Sequence, residues 1–393
     1  MDISALFAPM LVDDFIAHHY GRKPVHIARS GFPDGSAPLD WPRLNALLAL
    51  RSHWVEANIK LIMNGVAIQP EFYMEERPTR AGPTLRADPA KVGVFLGMGA
   101  SLVADSIEEI EPRVREIADL LAAQFGARAE ANAYCSFQNV QAFASHCDLH
   151  EVFVLQCEGE KVWNIYANRA AAPVETLTGD DAQAVIDAAK GKVLMSVRMR
   201  PGELLYIPRG YYHDALASSE ASLHVTFSVA PLTGRILFRL LEALALEDQA
   251  FREYLPDGRE GDALAERLDN LAERVASLVR SGRLRTELES RQRALVRRAE
   301  APNLPQRRPL SFFARTQRQA ELRRYCDTVT LVSGTETLDV GALHGAVEWL
   351  LNRPAFAIEE LAARFPACEQ ATLRDCIESL VKMGLVFAYQ PGL

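Results

Sequence analysis

Residues Ser145 to Trp163 read SHCDLHEVFVLQCEGEKVW, a polar head followed by an apolar run, a Gly-bearing turn at Gly159 and a second apolar start at Lys161. The run has the β-branched and aromatic content of a strand. Successive side chains of a strand point to opposite faces, so the spacing predicts that His146 and Asp148 project together from one face at the head of that strand. A His-x-Asp face of this kind can hold one metal ion.

The same texture extends outward on both sides. From Ala131 to Val229 the chain is a series of short segments, NAYCSF, VFVLQC, KVWNIYA, VLMSVRM, ELLYIP and SLHVTFSV, separated by Gly, Pro or polar turns, which predicts an antiparallel sandwich or barrel. Ahead of it, two helical patterns stand among short apolar runs, one after Asp40-Trp41-Pro42 and one over Ile107 to Phe125. After Pro231 the pattern turns helical, with Leu237, Leu240, Leu241, Leu244 and Leu246 leading into amphipathic stretches through Ala299. The Pro- and Arg-rich segment APNLPQRRPL, residues 301 to 310, reads as a linker. Beyond it, helical patterns at Gly341–Leu351, Ile358–Phe365 and Gln370–Met383 precede the strand-like LVFAYQ, an order that suggests a winged helix or a small helical packing unit. The reading is an α+β chain in three parts: 1–232, 233–310 and 311–393.

Composition narrows the function classes. The 393 residues are 49% hydrophobic and 24% charged, a globular balance, and the formal net charge of -8 argues against wholesale coating of nucleic acid. Asp13 and Asp14 interrupt the amino-terminal apolar residues where a signal peptide stays uncharged, and no apolar run reaches the ~20 residues needed to cross a bilayer, so a cytoplasmic protein without membrane contact is expected. The six cysteines, Cys135, Cys147, Cys157, Cys326, Cys368 and Cys376, contain no CxxC pair and read as reduced thiols without assigned chemistry. Ten arginines between Arg291 and Arg324 face only Glu300 and Glu321, a pattern read as exposed helix faces plus linker.

A two-His, one-carboxylate face with open positions is the donor set of non-haem Fe(II) oxygenases, so His146 and Asp148 need a second histidine. His150, His213 and His224 are the candidates. His213 is best placed, because GELLYIPRGYYHDA reads as a strand, a Pro-Arg-Gly turn and a return strand that carries an imidazole back toward the pair. His150 would continue the strand face and crowd Asp148, whereas His224 fits the core or the surroundings of the ligands.

Residues 131 to 230 resemble the JmjC cupin domain, a double-stranded β-helix barrel, of Fe(II)- and 2-oxoglutarate-dependent oxygenases, with the ribosomal oxygenase branch nearest. The resemblance is carried by NAY at 132–134, HCD at 146–148, FVLQCEGEKVW at 153–163 and GELLYIPRGYYH at 202–213, and extends to DDFIAHHYGRKPVHI and DQAFREYLPDG. It implies His146, Asp148 and His213 as catalytic iron ligands and Lys161 as the cation that binds the distal carboxylate of 2-oxoglutarate. The physics of burial agrees, since an anion inside an apolar barrel needs a cation or several hydrogen bonds. Asn132, Tyr134 and Thr226 are polar residues on strands predicted to line the same pocket. One departure stands out: CSFQNVQAF at Cys135–Phe143 replaces a Thr-Pro-Pro-Gly-Ser-Gln-Gly type stretch at the pocket mouth.

The resemblance further implies a helical dimerisation region, a carboxy-terminal winged helix and a homodimer. The expected activity is hydroxylation of a side chain in a protein or peptide, either a ribosomal protein or a ribosomally made precursor, with release of succinate and CO2. A small-molecule hydroxylase and a non-enzymatic cupin regulator acting through its winged helix are the competing readings.

Overall fold

The alternation of apolar residues through 131–229 is realised as antiparallel strands. The computed structural model describes residues 2–29, 31–32, 35–50, 52–63, 65–79, 82–137, 143–257, 262–296, 312–325, 328–366 and 368–389. These fall into two units, Met1–Thr233 with Ser290–Ala299, and Gly234–Glu289 with Glu300–Leu393.

The first unit opens with α1 (Ile3–Phe7), α2 (Val12–His18), β1 (Val25–Ile27) and α3 (Trp41–Leu48). The third helix starts where its sequence signal lies: Asp40 caps it by accepting from the Arg43 amide at 2.8 Å. Next come β2 (Ile59–Met63), β3 (Val66–Ala67), β4 (Met74–Thr79), β5 (Gly82–Ala87), α4 (Pro89–Gly97) and β6 (Ser101–Ala104). The helix expected from Ile107 is a 3-10 turn over Ile107–Glu109 and then α5 (Pro112–Phe125). Pro112 has no amide to bond backward, so it occupies the first helical turn behind the Glu111 cap.

The strands β7 (Arg128–Phe137), β8 (Glu151–Glu158), β9 (Lys161–Arg169), β10 (Val193–Met199), β11 (Leu204–Ile207), β12 (Tyr211–Ala217) and β13 (Ala221–Ala230) follow, with α6 (Ala182–Ala189) inserted before β10. They form an eight-stranded sheet ordered β1-β11-β8-β13-β7-β6-β2-β3 and a three-stranded sheet ordered β10-β9-β12. Val152, Val154, Leu205 and Ile207 from the larger sheet pack with Trp163, Ile165 and Met199 from the smaller, so the two inner faces enclose one core. The opposite face of the larger sheet, with Phe153, Leu155, Cys157, Tyr206 and Phe227, is covered by Phe7, Phe15, Ile117 and Leu121 of the helices. Burial on both faces explains why VFVLQC is a continuous apolar run rather than an alternating one. Gly159, which turns β8 into β9, has φ +61°, and a Cβ there would sit 1.9 Å from the Ala221 carbonyl oxygen.

In the second unit, α7 (Ile236–Ala245), α8 (Ala263–Arg280) and the part of α9 (Gly282–Leu295) up to Glu289 meet around Leu240, Leu244 and Leu284. The eighth helix buries none of its residues, and Leu268 and Val279 on it are exposed. Farther on lie β14 (Phe312–Arg315), β15 (Glu321–Tyr325), β16 (Thr328–Ser333), β17 (Glu336–Asp339), α10 (His344–Leu351), β18 (Ala355–Ala357), α11 (Ile358–Arg364), α12 (Gln370–Lys382) and β19 (Val386–Ala388). The three predicted helices and closing strand are present; β14 to β18 are additional, β14 and β18 joining the closing strand β19 in one small sheet and β15 to β17 forming another, and β15, ELRRY, carries too many charges to read as a strand. The segment 301–310 lies outside the described residues, as do Cys326, Arg297, Arg298, Arg307 and Arg308. Of the other arginines in that stretch, Arg318 pairs with Glu336, Arg323 with Glu321 and Arg324 with Glu348.

Candidate metal centre and its pocket

The His-x-Asp pair does not head a strand. β8 begins only at Glu151, and residues 143–150 approach it outside any strand, with one isolated antiparallel bridge between His146 and His213 among the described residues. The His146 amide donates to the His213 carbonyl at 3.0 Å and the His213 amide donates back at 2.8 Å. The Gly210 amide then donates to the Asp148 carbonyl at 3.0 Å. Nor are the two ligand-bearing segments two adjacent antiparallel strands: β12 pairs with β9, and the bridge joins His213 to His146.

The three side chains nonetheless come together. Ligand atoms of His146, Asp148 and His213 all lie within 4.8 Å of one another, with His213 Nε2 3.4 Å from an Asp148 carboxylate oxygen. The imidazole rings of His146 and His213 have centroids 4.5 Å apart. Each ring donates Nδ1–H to a carbonyl, His146 to Ala144 at 2.9 Å and His213 to Tyr211 at 3.0 Å. Because a carbonyl only accepts, these bonds fix the tautomer and leave both Nε2 lone pairs free to bind a metal. His213 is buried, and burial together with His146 holds its pKa down to about 4, so the ring is a neutral donor at physiological pH. Burial opposes the charge of Asp148, yet His213, His146 and His150 hold its carboxyl below the usual range. His150 is not part of the cluster; its Nδ1 faces the Glu151 carbonyl.

Gly210 makes this arrangement possible. It has φ +85°, and a Cβ would lie 2.5 Å from the Ala170 carbonyl oxygen, so only glycine lets the PRGYYH turn close while its amide holds Asp148.

Strand register places the other predicted residues on the same inner face. Lys161, Trp163 and Ile165 of β9 stand opposite Ala217, Ala215 and His213 of β12. On β13, Ser222, His224 and Thr226 stand opposite Ser136, Tyr134 and Asn132 of β7. Their odd-numbered neighbours Leu223, Val225 and Phe227 point into the helix-covered core. Lys161 is 4% exposed and donates to Ser136 Oγ at 3.2 Å. Burial pushes its pKa down to about 8. An ammonium has three donors, and a single hydroxyl partner among the described residues leaves room for an anion. Burial and the Lys161 charge keep His224 neutral.

Between the two ends runs a circuit of rings. Tyr134 stacks on His224 at 4.9 Å, His224 meets Trp163 at 5.4 Å, Trp163 meets His213 at 6.0 Å, and Phe143 closes the loop, 6.0 Å from His146 and 6.2 Å from Tyr134. Trp163 Nε1 and His224 Nδ1 are buried in it without hydrogen-bond partners among the described residues. Unpaired buried polar atoms of this kind are costly, and a polar ligand in the pocket would satisfy them. Asn132 accepts from the Ser106 amide at 3.1 Å and flanks the Tyr134 hydroxyl, whose pKa is raised by burial. Thr226 is half-buried beside Asn132. Of the replaced stretch Cys135–Phe143, residues 138–142 lie outside the described set. Ser136 and Trp163 are missing from the sequence-based site although each is two residues from a predicted member, a spacing that places it on the same strand face. The donor set fits Fe(II), and the buried ammonium fits the far carboxylate of a dicarboxylate.

A model of the JmjC domain family matches residues 106–236, which include all three clustered ligands. Over that stretch the chain is similar to a JmjC domain. The chain is also 34% identical over 258 residues to ribosomal oxygenase 1 of Gallus gallus, covering 64% of this chain and 41% of the relative. It is 28% identical over 261 residues to the bifunctional lysine-specific demethylase and histidyl-hydroxylase NO66 of Dictyostelium discoideum, covering 65% of this chain and 49% of that protein. The chain therefore spans less than half the length of these curated relatives. Among solved structures, the Escherichia coli ribosomal oxygenase YcfD superposes with a TM-score of 0.52 at 17% identity, covering 97% of this chain and 98% of the other. A YcfD structure in complex with cobalt and 2-oxoglutarate superposes at 0.51 with 16% identity, covering 97% and 99%. At that identity the likeness is one of fold.

Proposed function

We propose that this protein is an Fe(II)- and 2-oxoglutarate-dependent dioxygenase that hydroxylates a side chain of a protein substrate. The carrying observation is the pairing, on one barrel interior, of a His146–Asp148–His213 donor set with the buried ammonium of Lys161. The names of its relatives, which include ribosomal oxygenases and a histidyl-hydroxylase, support a ribosomal protein, with a histidyl side chain as the first candidate. A ribosomally made precursor peptide is the second.

When bound, Fe(II) and 2-oxoglutarate supply the oxidising chemistry: dioxygen and 2-oxoglutarate are consumed, one oxygen enters the substrate C–H bond as a hydroxyl, and succinate and CO2 leave. The chain's own residues do the rest. His146 and His213 bind through Nε2 while their Nδ1–H bonds hold the rings in place, and Asp148 supplies the anionic ligand. Lys161, steadied by Ser136, receives the distal carboxylate of the cosubstrate. Asn132, Tyr134 and Thr226 contribute hydrogen bonds along its length, and the rings of Trp163 and Tyr134 exclude water from the reacting centre.

The carboxy-terminal 311–393 is assigned as a winged helix and 233–310 as a dimerisation region with its linker, the exposed apolar residues of α8 being the surface a second copy covers. No helix among the described residues is long and apolar enough to cross a membrane. A cytoplasmic protein acting on another protein, without nucleic acid, is the setting proposed. The test is iron- and 2-oxoglutarate-dependent succinate formation that rises when candidate ribosomal proteins are added, with a mass gain of one oxygen read on the substrate. Succinate release that stays at zero with iron, 2-oxoglutarate and oxygen all present would refute the enzymatic reading.

A further inference from the structure

We propose that Ser145 and Asp214 form a clamp that positions the two imidazoles of the metal centre; this rests on the metal reading above. Ser145 precedes His146 and Asp214 follows His213 in the chain. Because His213 points into the barrel, Asp214 on the same strand points out of it. On that outer side Ser145 Oγ donates to Asp214 Oδ2 at 2.7 Å. A side-chain bond therefore reinforces, from behind, the pair of backbone bonds that joins His146 to His213.

The clamp is itself held. Asp214 Oδ2 also accepts from Tyr166 Oη at 2.5 Å, and Oδ1 accepts from Asn164 Nδ2 at 3.0 Å, so three donors from two segments converge on one carboxylate. Lys190 Nζ donates to Ser145 Oγ at 3.0 Å and lies 4.6 Å over the Tyr166 ring, while Gln183 Nε2 donates to the Ser145 carbonyl at 3.3 Å. Ser145 is 5% exposed, so these bonds are little weakened by water. The need for them follows from the local backbone. The His-x-Asp segment has no strand ladder, and donor atoms must be placed closely for tight metal binding. Ser145 and Asp214 touch neither metal nor substrate; they act through the histidines as positioning residues.

The test uses the full chain and Co(II) alone, reading the dissociation constant by competition with a chromophoric chelator and the visible absorption of the bound ion. Ser145→Ala should weaken Co(II) about five- to tenfold, the loss expected for one buried hydrogen bond, Asp214→Ala at least as much, and both should alter the visible band. The double variant should bind about as weakly as the worse single, because both changes remove the same bond. Ser196→Ala, which cuts the 2.8 Å bond from Ser196 to Asn164 on the same outer face, should leave Co(II) affinity and spectrum unchanged. Wild-type affinity in Ser145→Ala, or an equal loss in Ser196→Ala, overturns the clamp while wild-type Co(II) binding leaves the metal reading intact. Undiminished Co(II) binding by His213→Ala overturns that reading and the clamp with it. Should Asp214→Ala fail to fold, Ser145→Ala decides alone.

Discussion

Replacing Lys161 with Met keeps the apolar stem and removes the charge from the inner end of the pocket. In the wild type the ammonium is 4% exposed, has Ser136 Oγ at 3.2 Å, and has its pKa pushed down to about 8 by burial. A hydrogen bond to a charged partner contributes roughly 1.5–3 kcal/mol, so the variant should bind 2-oxoglutarate about ten- to a hundredfold more weakly. The cost should fall on the cosubstrate, with Co(II) affinity near that of the wild type. The depressed pKa adds a pH signature. Below about pH 8 the lysine is already charged and binding takes up no proton. Above it, each pH unit should cost the wild type about tenfold in 2-oxoglutarate affinity, and the variant's affinity should be flat. Stability runs the other way. A lysine whose folded pKa lies below its unfolded value of 10.5 destabilises the fold while it is charged. The unliganded variant should therefore be more stable than wild type by up to about 3 kcal/mol below pH 8, a gain that fades between pH 8 and 10.5. Calorimetric titration of the Co(II)-loaded protein from pH 7 to 9.5, with thermal melts of the unliganded forms, reads both. Equal 2-oxoglutarate affinity in variant and wild type, or a pH-independent wild type, would refute the reasoning.

His213→Ala should abolish Co(II) binding and turnover whereas His224→Ala retains Co(II); metal titration that ranks them in reverse would transfer the third ligand to His224. Gly210→Ala should cost about 1–3 kcal/mol of stability through its strained backbone and weaken Co(II) as well, since the Gly210 amide holds Asp148; denaturant melts and metal titration check the two effects. Light scattering of the full chain at micromolar concentration should give a dimer mass, and Leu268→Glu on the exposed face of α8 should give a monomer.

Much of the barrel was legible because its strands obey simple alternation, and the apolar run of β8 was legible through the continuous burial of Val152 to Cys157. Lys161, Asn132, Tyr134 and Thr226 share an inner face for the same reason: period two survives any register that keeps the core inside. The approach of His146 to His213 was anticipated by the wrong route. Extended chain before a strand looks like strand in composition, and only the hydrogen bonds reveal that the pairing is one isolated bridge. Asp214 was illegible because a carboxylate beside a ligand, facing outward, has the pattern of any solvated strand residue. The small strands of 312–339 escaped notice because their charged alternation, as in ELRRY, carries little apolar signal.

The single bridge has a thermodynamic consequence. The ten-residue pairing of β7 with β13 opens only with the barrel, whereas residues 143–150 are joined to it by few backbone bonds and can open alone. A metal bound across His146 and His213 would then act as a staple between two stretches of backbone, and its binding energy would be partly spent on closing that segment. Heating the unliganded protein should accordingly release the segment first, so the ability to capture metal disappears at a lower temperature than the secondary structure does.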